Sequence, residues 1–169
     1  IEVSGLMKLF KRYIYKETRP LIEAGVRVRF IGDRIRLEPA LVSLMDQLEA
    51  LTENNSVVNL TIAINYGGRD EVTRATKRMA DDVLNGKLSL DNINEETLPK
   101  YLDTHVLPDP CLVIRTSGEA RISNFLLWQS AYAEYEFVDT LWPDFTKEIF
   151  SSVVSEFENR DRRFGGLVK

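Results

Sequence analysis

Apolar positions along this chain follow two rhythms, and the rhythms alternate. The opening stretch "IEVSGLMKLFKRYIY" sets Leu6, Phe10 and Tyr13 or Ile14 at i, i+4 and i+7 or i+8, one face of a helix. Pro20 lacks an N–H and disfavours helix in the residue before it, so a disturbed helix is expected there, with a short turn closed by Gly25. In "VRVRFIGD" Val26, Val28 and Phe30 alternate with Arg27 and Arg29, the period of a strand with one polar face. From Pro39 to Asn54, Leu41, Leu44, Met45, Leu48 and Leu51 return to helical spacing. "VVNLTIAIN" (57–65) is nearly all apolar or β-branched, as in a parallel strand covered on both faces. After "YGGRDEV" turns the chain, Asp70 and Glu71 suit a first helical turn, and Val72, Ala75, Met79 and Val83 carry the helix to Gly86.

The second half repeats the alternation. A short helix is expected around residues 94–103, then "CLVIR" (111–115) as a buried strand. Ser123 is placed to cap a helix through Leu126, Leu127 and Trp128 towards Glu134. "YEF" near residue 136 suits a short strand, and "WPDF" precedes an amphipathic helix with Ile149, Phe150, Val153 and Phe157. This order predicts an α/β fold, a mainly parallel central sheet flanked by helices, in a single domain spanning residues 1–169. Ligands of such sheets bind beyond the carboxyl ends of the strands. Two loops leave strands at that end, "NYGGR" and "RTSGEARIS", both rich in glycine and arginine.

Composition narrows the ligand. The formal net charge is -4, so nucleic acid bound by bulk charge is not expected, and an anion has to be held by a local positive cluster. The single cysteine, Cys111, cannot form an internal disulfide, which fits a reducing, cytosolic setting; at the head of a buried strand it reads as packing. No run approaches the ~20 apolar residues of a membrane span.

Arg115, Arg121 and Ser123 are the candidate anion ligands. Guanidinium groups offer a planar fork matched to phosphoryl oxygens, and a helix beginning at Ser123 would add free backbone N–H groups. The same loop also fits a plain capping box, Thr116-x-x-Glu119, with solvated arginines. Glu134 suits Mg²⁺, which prefers carboxylate oxygen, and equally an exposed acid at a helix end. The glycines of "NYGGR" fit a tight turn. His105, the only histidine, is given no role. Arg160, Arg162 and Arg163 before Gly165 fit either a helix C-terminus or a second anion-binding element.

Together "INYGGRDEV", "LVIRTSGEARISNFLLWQSAYAEYEF", "LWPDF" and "NRDRRFGG", in this order, resemble the cis-prenyltransferases, with the nearest likeness to bacterial undecaprenyl diphosphate synthases. The resemblance runs over essentially the whole chain. It implies Mg²⁺-dependent condensation of isopentenyl diphosphate onto an allylic diphosphate, commonly farnesyl diphosphate, to give a cis-polyprenyl diphosphate. By position it makes Arg115, Arg121 and Ser123, with the Ile122 backbone between them, ligands of the isopentenyl diphosphate, and Glu134 the magnesium ligand. Arg163, Phe164 and Gly165 match the family's C-terminal signature, which reaches across a homodimer to the partner's substrate. An apolar product tunnel over the sheet is implied, with Val58, Leu60 and Ile62 as candidate lining beside their ordinary reading as core. The resemblance also implies a cytoplasmic enzyme able to work at the inner face of the membrane, where its lipid product goes.

Members of the family also carry, upstream, an Asp-Gly-Asn-Gly-Arg-like segment that binds the allylic diphosphate and supplies the catalytic aspartate. The 169 residues hold no such segment. The expectation is therefore a domain lacking its N-terminal allylic-diphosphate segment, with no catalytic residue of its own. Two other classes stand beside the enzyme. One is a non-catalytic partner subunit of a heteromeric prenyltransferase, disfavoured by the intact RTSGE block. The other is a generic nucleotide-binding domain, disfavoured because no Gly-rich phosphate fingerprint follows a strand.

Overall fold

The computed structural model describes residues 2–160. They form two compact units that divide between Leu107 and Pro108. Each is built round a parallel pair of strands with helices, as the alternating pattern predicts.

In the first unit, α1 (Glu2–Glu23) leads into β1 (Val26–Ile31). The helix runs unbroken through Pro20, against expectation. The proline sits in the last turn, where its missing N–H costs the ladder one bond, and the Pro20 carbonyl still accepts from the Ala24 N–H at 3.0 Å. Gly25, at φ +68°, ends the helix as its spacing suggests. Of the two alternatives near residue 13, Ile14 turns inwards and Tyr13 stays half exposed. α2 (Pro39–Thr52) starts on its proline, the position where a missing N–H is harmless. Its buried Leu41, Leu44, Met45 and Leu48 meet Val28 and Phe30 of β1 and Ile14 of α1. Each such side chain contributes about 1.5–3 kcal/mol when fully buried, so this cluster is what fixes the two helices on the strand.

β2 (Val58–Ala63) lies parallel to β1, with Val28 beside Leu60 and Phe30 beside Ile62. The expectation of a strand covered on both faces holds only for its second half. Ile62 packs against the core, but Val58 and Leu60 are 53% and 38% exposed. The core cluster is centred on β1 and α2, and among the described residues it reaches β2 only at Ile62 and, just beyond the strand, Ile64.

The other edge of β1 has no strand beside it among the described residues, yet its polar groups are engaged. The Val28 N–H donates to Thr52 Oγ1 at 3.0 Å, the Phe30 N–H to Glu49 Oε1 at 2.7 Å, and the Gly32 N–H to Asp103 Oδ2 at 3.1 Å. Asn55 Nδ2 donates to the Val26 carbonyl at 2.9 Å. Alternate residues of a strand point their backbone groups the same way, so side chains satisfy this edge as a neighbouring strand would.

α3 (Gly68–Leu84) follows the "NYGGR" turn. Gly32 and Asn65 explain that turn. Asn65 Nδ2 donates to the Asp33 carbonyl at 2.8 Å, and Gly32 adopts φ +116° hard against the Ile64 carbonyl. Glu71 lies in the first helical turn as expected and is fully buried there; it accepts from Tyr66 Oη at 2.6 Å and from the Asp103 N–H at 2.9 Å. The helix expected near 94–103 shrinks to a 3₁₀ turn at Leu98–Tyr101. Among the described residues no helix is long and apolar enough to cross a membrane.

The second unit pairs β3 (Leu112–Arg115) in parallel with β4 (Glu134–Phe137), Leu112 beside Glu134 and Arg115 beside Phe137. Cys111 is exposed, not packed, because it precedes the paired residues. The helix expected from Ser123 is absent: residues 123–132 form successive turns and bends. Ser123, Asn124 and Leu126 have φ of 50°, 64° and 45°, left-handed values that no right-handed helix can contain. α4 (Lys147–Glu158) is the predicted amphipathic helix, its start capped by Thr146 Oγ1, which accepts from the Ile149 N–H at 3.4 Å. Arg163 and Gly165 lie outside the described residues.

Candidate functional site

β3 runs directly into the loop that the sequence singles out. The Ser117 N–H donates to the Thr140 carbonyl at 2.9 Å and the Gly118 N–H to the Val138 carbonyl at 3.1 Å, so the loop after β4 holds the loop after β3. Gly118 at φ +65° and Ser117 at φ 74° make the chain reverse here. The returning chain brings Arg121, Ile122 and Ser123 back to Arg115.

The Arg115 guanidinium closes this loop. Its Nη1 donates to the Arg121 carbonyl at 2.6 Å and to Ser123 Oγ at 2.7 Å. Arg121 turns its own guanidinium to Glu119, and its side chain is 63% exposed. Ile122 and Ser123 are also exposed. Three of the candidate ligands therefore share one loop beyond the carboxyl end of a parallel strand, where open α/β sheets bind ligands. No helix follows Ser123, so neither a capping box at Thr116 and Glu119 nor a helix N-terminus has anything to cap. The donors on offer are side chains and turn N–H groups.

Glu134 opens β4. Period-two alternation sets Glu134 and Glu136 on one face of the strand and Tyr135 and Phe137 on the other, where the two rings stack at 6.0 Å. Arg160, just past α4, bridges both carboxylates: Nη1 reaches Glu134 Oε2 at 3.3 Å, and Nη2 bonds Glu136 Oε2. The bonds to Glu136 first and Glu134 second hold the guanidinium pKa above its ordinary value. The sequence offered Arg160 as a solvated helix end or an anion donor, and it is instead an ion-pair partner. Glu136 drew no attention from pattern at all, and Glu119 only as the partner in a capping box, since lone acids in polar stretches carry no ligand signature.

A divalent cation can be tested against this set. Glu134 gives hard carboxylate oxygen, as Mg²⁺ prefers. Among the described residues no group of three His, Cys, Asp or Glu side chains converges. These residues thus fit an ion that completes its shell from phosphate oxygens and water, and do not make a protein-only cage.

A cleft of about 550 Å³ lies in the first unit, beyond the carboxyl end of β1, lined by Gly32, Asp33, Arg74, Arg78, Tyr101 and Asp103 among others. Its arginines are committed. Arg74 forks onto Asp103 at 2.9 and 2.7 Å and reaches Asp70 at 2.7 Å, while Arg78 lies 3.6 Å from Asp103. Burial alone would raise the Asp103 carboxyl. The Arg74 hydrogen bonds and charge, the Gly32 N–H and Arg78 outweigh it and keep the pKa below the usual carboxylate range. This network ties β1, α3 and the 98–103 segment together.

Comparison with known proteins bears on both units. The family model described as "Putative undecaprenyl diphosphate synthase" matches residues 1–165. An isoprenyl transferase of Agrobacterium fabrum is 50% identical over 99% of the chain and 68% of that protein. A ditrans,polycis-undecaprenyl-diphosphate synthase of Legionella pneumophila, (2E,6E)-farnesyl-diphosphate specific, is 46% identical over 98% of the chain and 70% of its own length. Among solved structures, lavandulyl diphosphate synthase from Lavandula x intermedia, in complex with dimethylallyl diphosphate, superposes with a TM-score of 0.93. It is 31% identical, with 98% of this chain and 72% of that one covered. A probable undecaprenyl diphosphate synthase from Campylobacter jejuni gives 0.86 at 38% identity, covering 98% and 75%.

Proposed function

Because the chain belongs to the undecaprenyl diphosphate synthase family of prenyltransferases, we propose that it serves cis-prenyl chain elongation, with isopentenyl diphosphate as acceptor and farnesyl diphosphate as primer. The observation that carries the reading is the Arg115 clamp, which gathers Arg121 and Ser123 into one exposed loop beyond a parallel strand. Arg115, Arg121 and Ser123 bind the isopentenyl diphosphate group, with the Ile122 backbone between them, and Arg115 also orients the loop. A diphosphate competes with Glu119 for the Arg121 guanidinium and wins on charge.

In the reaction the allylic carbon–oxygen bond breaks, and diphosphate leaves with the electron pair. The isopentenyl double bond closes onto the allylic carbon, and loss of a proton from the acceptor, taken up by the released diphosphate, creates the new cis double bond. The loop holds the acceptor in place for that attack. Mg²⁺ on Glu134 would supply charge neutralisation for the diphosphate. Arg163 and Gly165 are assigned to the substrate of the opposite subunit in a homodimer, and Val58 and Leu60 to the lining of the product tunnel. The exposure of these two apolar side chains supports that assignment. The setting is cytoplasmic, with product release at the inner face of the membrane.

The test is direct. Protein expressed from its full reading frame, given farnesyl and isopentenyl diphosphates with Mg²⁺, is expected to release diphosphate and form a polyprenyl diphosphate. Product only after a second prenyltransferase subunit is added would favour the partner-subunit reading instead.

A further inference from the structure

One side-chain cluster carries more than the reading above uses. Arg160 places a single positive charge between two carboxylates that share a strand face, and the two contacts are unequal. Glu136 holds Nη2 in a tight ion pair. Glu134 receives Nη1 at 3.3 Å, longer than the usual charged hydrogen bond of about 2.7–2.9 Å. The backbone fixes the arginine here as well, since the Arg160 N–H donates to the Phe157 carbonyl at 3.2 Å at the end of α4.

We propose that Arg160 is a positioning residue that occupies Glu134 until a divalent cation arrives, and that Glu136 then retains the guanidinium. The proposal rests on the reading of Glu134 as the cation's carboxylate. Its logic is competition for the same lone pairs. A guanidinium and a divalent ion on one carboxylate repel each other and compete for Oε2, so the long contact to Glu134 is the one that yields. Glu136 keeps the displaced arginine paired, so the exchange leaves no unpartnered charge beside the site. Among the described residues the cluster sets two carboxylates against one arginine, an arrangement that draws a cation but does not hold one firmly without substrate phosphates.

The experiment titrates the full-length protein with Mn²⁺, an oxygen-preferring stand-in for Mg²⁺. Free Mn²⁺ is read by electron paramagnetic resonance, with no substrate present. Arg160→Gln is expected to bind Mn²⁺ several-fold more tightly than wild type, and Glu136→Gln several-fold more weakly, because the arginine then has only Glu134 to hold. Net charge alone predicts the same pair of outcomes, tighter for Arg160→Gln and weaker for Glu136→Gln, so Arg160→Lys decides. A lysine has no planar fork to set one nitrogen on each carboxylate; it settles on the tight partner, Glu136, and leaves Glu134, so tighter binding than wild type is expected. Wild-type or weaker affinity in Arg160→Lys overturns the proposal, as does unchanged affinity in Arg160→Gln. Glu134→Gln separates the two layers. Loss of Mn²⁺ binding there, with the other variants failing, overturns the role of Arg160 alone. Unchanged binding in Glu134→Gln overturns the reading of Glu134 and the proposal with it.

Discussion

Arg115 Nη1 sits 2.7 Å from Ser123 Oγ and 2.6 Å from the Arg121 carbonyl, so one guanidinium sets both the shape of the loop and the place of a second arginine. The two arginines have separable duties. Arg121→Ala removes a donor but leaves the clamp, and is expected to weaken isopentenyl diphosphate binding by about 1.5–3 kcal/mol, the scale of a hydrogen bond to a charged group. Arg115→Lys keeps the charge but loses the fork, and should disorder the loop as well as weaken binding. Michaelis constants give the first effect, and amide hydrogen exchange over residues 116–123 separates the second. Unchanged Michaelis constants in both variants would return the loop to a purely structural role.

Gly32→Ala should be among the costliest single changes in the first unit. At φ +116° a Cβ would lie 2.1 Å from the Ile64 carbonyl oxygen, which is backbone and cannot step aside. Strain of this kind costs on the order of 1–3 kcal/mol before the clash is added. A thermal melt that fell by less than a degree would contradict it.

Thr52→Val tests a single buried hydroxyl. Thr52 Oγ1 accepts from the Val28 N–H at 3.0 Å and donates to the Leu48 carbonyl at 2.8 Å, with the residue fully buried. Valine matches its shape and leaves the Val28 N–H without an acceptor, a loss of about 1–3 kcal/mol. Urea denaturation measures it, and a neutral result would mean that water or another group reaches the amide.

Asp103 gives the first unit an acid limit. Its folded pKa is depressed, so its contribution is fully present above the unfolded carboxylate value of about 4 and is lost as pH falls through the folded value. Stability of the wild type should therefore drop as pH falls below about 4, the unfolded carboxylate value. Asp103→Asn should be less stable at neutral pH and show a flatter acid limb. Parallel pH profiles for the two proteins would refute the assignment.

The C-terminal assignment is tested by mixing. Protein truncated before Arg163 and an Arg121→Ala protein should each be weakly active. If the tail serves the opposite subunit, one site of a heterodimer carries both lesions and the other carries neither, so activity returns on mixing. No recovery, with heterodimers demonstrated, would place the tail within its own subunit.

Much of this was legible from residue spacing. β1 and β2 were announced by alternation and by β-branched runs, and α2, α3 and α4 by apolar residues three and four apart, because those signals report burial of one face. The misreadings have local causes. Pro20 lies late enough in α1 for the helix to absorb it, a question of position that a breaker signal does not encode. "SNFLLWQSAYAE" has helical spacing, yet the turns at Ser123, Asn124 and Leu126 are set by the Arg115 clamp, a tertiary contact that overrides local propensity. The buried Glu71 and the bridging Arg160 escaped for the same reason. An ion pair between residues 26 positions apart leaves no trace in periodicity.

The side-chain stoppers along β1 have a consequence for how the protein can fail. A strand flanked by another strand loses its protection only when the sheet itself comes apart. Here, among the described residues, Thr52, Glu49 and Asp103 each guard one amide, so the edge can be opened at one point while the sheet itself holds together. A variant that loses one of them keeps a native strand and gains an open row of donors, the template on which copies of a chain stack into fibrils. In such a variant a modest loss of stability would come with a larger loss of solubility, and a screen for stability alone would understate the damage.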